Sequence, residues 1–125
     1  MAISAKLRAQ VATVAEQLRR ELYGSQGLPP LGKLFVELEE EAVEVGDAIT
    51  CAVMQQLLQA QAEATQQEHP EECSCAVCGQ PARRRNDPEP RWLQTRRGEV
   101  GWQEPTYHCP TCRQAFFPSV QDAGD

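Results

Sequence analysis

The chain has 125 residues, 41% of them hydrophobic but only 6% aromatic, and a formal net charge of −6. That suffices for one modest domain, or for a helical unit with a very small second module, and it excludes two large independent cores. A module of about 40 residues buries too little apolar surface to fold unaided and needs a metal, disulfides or a partner.

The charge is unevenly spread. Residues 1–72 hold five Lys/Arg against twelve Asp/Glu, whereas residues 75–117 hold seven Arg against four carboxylates. An acidic front and a basic back point either to nucleic-acid contact by the back or simply to two differently solvated surfaces. Lys6, Arg8 and Gln10 interrupt any apolar core of an export signal. No run approaches the ~18 apolar residues of a membrane span. The expectation is a soluble, cytoplasmic protein with no membrane partner, in a reducing compartment where clustered cysteines bind metal.

In chain order, Ile3, Leu7, Val11, Val14, Leu18 and Leu22 recur every three or four residues, one apolar stripe on a first helix. Gly24–Pro30 ends it and forms a loop. A second helix starts near 31–34 and runs into the 60s, with Phe35, Leu38, Ala42, Val45, Ile49 and Ala52 on its stripe. Glu37, Glu39, Glu40, Glu41 and Glu44 make its start acidic, which suits the helix dipole. The Gln/Ala-rich stretch from Gln55 to Glu68 is expected to fray before His69-Pro70. Residues 1–70 thus read as an antiparallel helical hairpin. Two such helices bury little alone. The hairpin is therefore expected to pack on a second copy, as a homodimer, on the cysteine-bearing C-terminal part of the chain, or on a further domain.

From Cys73 on, Pro, Gly, Arg and Cys replace Glu, Gln and Ala. The prolines exclude long helices. Trp92–Thr95 and Val100–Gln103 read as two short strands with a turn at Arg97-Gly98. The fold class expected is α+β: the helical hairpin at 1–70, a small ribbon with a β-hairpin at 71–120, and a tail at 121–125.

Two Cys-x-x-Cys pairs, Cys75/Cys78 and Cys109/Cys112, stand 30 residues apart. A two-residue spacing lets both sulfurs of a tight turn reach one ion, and a second such turn completes a tetrahedron. Gly79 supplies backbone freedom after the first turn, and Pro110 pre-sets φ in the second. One structural Zn2+ on Cys75, Cys78, Cys109 and Cys112 is the expectation, with iron its main rival. Four thiolates leave no position for water, so such a metal is not catalytic. Cys73 is one residue from Cys75 and reads as a free thiol or a substitute ligand, and Cys51 as a small helix hydrophobe. His108 reads as a strand-end side chain or a donor behind the site, and His69 as a loop residue.

Arg83, Arg84, Arg85, Arg91, Arg96 and Arg97 must lie close together in so small a module. Guanidinium forks match phosphate, so they are candidate DNA-backbone contacts, or they offset the thiolates and nearby carboxylates. Trp92 and Trp102 can stack on bases or pack against the ribbon.

Cys75–Arg84 (CAVCGQPARR), Leu93–Val100 (LQTRRGEV) and Tyr107–Pro118 (YHCPTCRQAFFP) resemble the N-terminal zinc-ribbon region of ISKra-group bacterial insertion-sequence transposases. The acidic Leu31–Gln59 helix is similar to the helix preceding that ribbon. The resemblance implies DNA binding at element ends, with the chemistry done by a ribonuclease-H-like domain using metal-bound carboxylates. That domain is expected to be missing here, since Asp122 and Asp125 in a short tail cannot replace carboxylates on a rigid fold. The expectation is a non-catalytic DNA-binding module with no small-molecule substrate. Its rival is a protein-interaction adaptor whose acidic helices bind a partner while the ribbon is a clip.

Overall fold

A computed structural model describes residues 2–68 and 70–116 of the chain. His69, Phe117, Pro118, Asp122, Asp125 and the tail expected at 121–125 lie outside them. The described residues form two helices followed by six short antiparallel strands, the α+β arrangement expected. They divide into two compact units, one ending at Glu41 and the other starting at Ala42.

In the first unit, α1 spans Ala5–Tyr23. Ser4 caps it: its backbone is extended, and its hydroxyl oxygen accepts the Leu7 N–H at 3.1 Å. Gly24, at φ +87°, ends it. Arg19 then fixes the loop by donating to the carbonyls of Gln26 and Gly27, at 3.0 and 2.8 Å. Tyr23 and Lys33 both bond the Glu41 carboxylate, and the Lys33 ammonium lies over the Tyr23 ring. These contacts are polar. No residue of α1 is buried, and Leu7, Val11, Val14 and Leu22 of its stripe are all exposed.

Helix α2 spans Phe35–Glu68, about 50 Å at 1.5 Å per residue. It does not fray at Gln55. It runs through the Gln/Ala stretch as regular helix, and Ala62 there is fully buried. Tertiary contacts within the second unit override the weak pattern.

Those contacts run along one edge of a hairpin. Strands β3 (Glu89–Thr95) and β4 (Gly98–Glu104) pair from Glu89↔Glu104 to Thr95↔Gly98. The loop is Arg96-Arg97, one residue earlier than the sequence suggested. Thr95 closes it, its hydroxyl oxygen accepting the N–H groups of Arg97 and Gly98 at 3.1 and 3.2 Å. On the other edge of β4, Gln55 accepts the Gly101 N–H at 3.1 Å. Gln59 accepts the Gln103 N–H at 2.8 Å and donates to the Gln103 carbonyl at 3.2 Å. Its amide thus stands in for a neighbouring strand. Asp47, four-residue steps earlier on the same face, pairs with Arg97 at 3.3 Å. Four residues of helix advance about 6 Å and two of strand about 6.8 Å, so the two ladders stay in step.

The remaining strands, β1 (Glu72–Ser74), β2 (Pro81–Arg84), β5 (Tyr107–Cys109) and β6 (Gln114–Phe116), make one antiparallel sheet in the order β1-β2-β5-β6. The hairpin is the excursion between β2 and β5. The sheet's core is small: Cys73, Cys75, Ala82, Tyr107 and Cys109, with Cys112 and Phe116 against it. The Tyr107 and Phe116 rings are 6.2 Å apart.

Candidate metal centre

Each Cys-x-x-Cys pair follows a strand and begins a tight turn. In the first, the Gly79 N–H donates to the Cys75 carbonyl at 2.9 Å, and the Cys75 N–H donates to the Gln80 carbonyl at 2.8 Å. In the second, the Arg113 N–H donates to the Cys109 carbonyl at 2.7 Å. The turns match residue for residue: Gly79 sits at φ +75° and Arg113, in the corresponding place, at φ +58°. Backbone amides also face sulfur. The Val77 N–H points at Cys75 Sγ and the Cys112 N–H at Cys109 Sγ, both at 3.4 Å.

The two turns bring the Sγ atoms of Cys75, Cys78, Cys109 and Cys112 within 4.8 Å of one another. Cys75 and Cys112 are 4.0 Å apart, and Cys78 and Cys109 3.5 Å. A tetrahedral ion with metal–sulfur bonds of about 2.3 Å sets its sulfurs about 3.8 Å apart. The donor set therefore fits one metal ion, and it is the one such cluster among the described residues.

The thiols are unequal. The Cys75 thiol is lowered from 9.0 to about 7, first by the Cys78 backbone N–H and then by that of Val77. Cys112 is pushed up to about 12, first by its bond to the Cys78 sulfur, then by burial and its other two neighbours. Four sulfurs this close cannot all be ionised without a cation among them.

Cys73 is no ligand. It points into the core, 8% exposed, and burial followed by the nearby Cys75 raises its thiol. Cys51 is half-buried on α2, where its sulfur would meet a Cβ at Gly98 at 3.0 Å. His108 is half-buried on the strand between Tyr107 and Cys109 and does not join the sulfur cluster.

The six arginines have separate jobs. Arg84 donates to the carbonyls of Asn86 and Pro70 and pairs with Asp87, holding the chain around β2. Arg91 bonds the Glu104 carbonyl, Thr106 and Glu89 across the hairpin base. Arg97 pairs with Asp47. Arg83, Arg85 and Arg96 are exposed, and their side chains have no partner among the described residues. Of the tryptophans, Trp102 is buried with its indole N–H on the Glu104 carboxylate at 3.1 Å. Trp92 is 65% exposed and lies over Gly101, where an added Cβ would come within 2.5 Å of the ring.

Sequence reasoning missed the Gln55/Gln59 seam, the positive φ of Arg113 and the buried carboxylate of Glu104. The four-residue spacing of Asp47, Cys51, Gln55 and Gln59 was the available signal for the first. No helix among the described residues is long and apolar enough to cross a membrane. No protein-family model matches the chain, and no curated protein or solved structure similar to it was found.

Proposed function

We propose that this chain is a non-catalytic zinc-ribbon module that holds DNA by its phosphate backbone. The observation that carries this reading is the set of exposed, unpartnered guanidinium groups, Arg83, Arg85 and Arg96, on the unit that also bears the sulfur cluster. Guanidinium forks bind phosphate bidentately, and such contacts position a protein on nucleic acid without reading its sequence. The resemblance of the Cys75–Pro118 stretch to the ribbon of ISKra-group transposases supports the same reading.

Zinc is the ion proposed because two turn-borne thiolate pairs make a closed tetrahedral site that calls for no redox chemistry. The ion is structural. Metal analysis of protein purified without added metal is expected to give one zinc per chain; one iron, with the red colour of ferric tetrathiolate, would overturn this assignment.

Fluorescence anisotropy of a labelled duplex across a salt series tests the DNA reading. Binding that weakens steeply with salt is expected; absence of binding at low salt would sink it. A second reading, an adaptor or homodimer held by the helices, is favoured by the exposed Leu7, Val11, Val14 and Leu22 on the stripe of α1. Light scattering of the intact chain then shows a dimer, or pull-down shows a partner lost when Leu7 and Val11 are made polar.

A further inference from the structure

Resting on the DNA reading, we infer that the phosphate-binding site is one groove on the outer face of the four-stranded sheet, held by Arg83 and Arg85 and not by the six arginines together. Along β2, Ala82 is fully buried and Arg83 exposed, so Arg83 projects from the face opposite the core. Its direct cross-strand neighbours are Glu72 on β1 and His108 on β5. Around this row opens a groove of about 730 Å³, bounded also by Arg85, Gln80 and Thr111 of the second cysteine turn. Its rim thus offers two free guanidinium groups, an amide, a hydroxyl and an imidazole, a donor-rich lining suited to phosphate oxygens.

Arg84 also borders the groove, but its donors are committed to Pro70, Asn86 and Asp87. Glu72 is the one carboxylate on the rim, and it opposes an anion there. Neutralising it tightens binding, a sign that a purely structural role for these residues would not produce. The rival use of Arg83 and Arg85 is to offset the negative thiolates behind Pro110 and Thr111. That role predicts loss of metal, not of DNA.

The experiment uses the full zinc-loaded chain, a labelled 20-base-pair duplex, and anisotropy at several salt concentrations, with zinc content measured on every variant. Arg83→Ala/Arg85→Ala is expected to weaken binding roughly ten- to a hundredfold. It should also make the dependence of log affinity on log salt shallower by about 1.8, two phosphate contacts' worth, with zinc retained. Arg96→Ala at the hairpin tip is expected to change affinity less than about threefold, and Glu72→Gln to strengthen it. If the double variant binds like the parent while Arg96→Ala does not, the groove is wrong and DNA binding stands. If the double variant sheds zinc, the arginines serve the metal. If the parent binds no duplex at low salt, both the groove and the DNA reading fall.

Discussion

Arg113 and Gly79 occupy the same place in two matching turns, yet only one of them is glycine. A side-chain-bearing residue in the left-handed region costs about 1–2 kcal/mol, and a glycine gives part of that back through its freer unfolded state. Arg113→Gly is therefore expected to stabilise the zinc-loaded protein by about 0.5–1 kcal/mol, and Gly79→Ala to destabilise it by about 1 kcal/mol. Urea unfolding followed by tryptophan fluorescence checks both; a loss on Arg113→Gly would mean that its side chain is worth more than its strain. Gly101 is constrained differently, by contact. A methyl group there would come within 2.5 Å of the Trp92 ring, so Gly101→Ala should lift the indole off β4. The expected readout is a red-shifted emission with the zinc content unchanged. An unshifted spectrum would show that the ring has room to slide.

At the scale of elements, α2 acts as a third strand for the hairpin. Gln59 meets both the N–H and the carbonyl of Gln103, and Gln55 meets the next exposed N–H, that of Gly101. An open strand edge invites pairing with other chains, and covering it with side-chain amides removes that template. Gln59→Ala is expected to cost about 1 kcal/mol, since water replaces part of what is lost at an exposed edge. Hydrogen exchange at Gln103 should speed up more than at Gly101, which keeps Gln55; equal acceleration would mean that the whole helix has detached.

This seam also marks where sequence reading stops. The sulfur cluster was legible because chelation demands a fixed spacing, and the β-hairpin because strand-forming residues on either side of a turn are local signals, though the turn falls at Arg96-Arg97 and not at Arg97-Gly98. Gln55 and Gln59 lie in a stretch whose composition looks like solvated, fraying helix. Their role exists only because β4 passes beside them, more than forty residues on. The arginines show the same limit. Residue type does not separate Arg84, with three partners around β2, from Arg83 beside it, which has none; the fold does.

For the whole ribbon, the candidate metal site and the core are nearly the same object: of the five core residues of the four-stranded sheet, Cys75 and Cys109 belong to the sulfur cluster. Ala82, Tyr107 and Cys73 alone bury too little to order about 45 residues, whereas structural zinc supplies roughly 10–16 kcal/mol. Chelation is expected to abolish the near-ultraviolet signal of Tyr107 and Trp102 and to collapse amide dispersion across β1, β2, β5 and β6. Protons compete with metal for sulfur. Without metal the sheet is unfolded, so its thiols start in the ordinary cysteine range of about 8–9 and carry their protons at neutral pH; metal must displace them to bind. Zinc affinity should therefore fall continuously as pH falls from about 8.5 to about 6, by more than about one proton's worth of slope. Competition against a chromogenic chelator over that range measures the slope. A flat line would mean that thiols do not hold the metal, whereas a break near pH 7 would mean that the sheet stays folded without it, with the amides of Cys78 and Val77 holding the Cys75 thiol down at about 7.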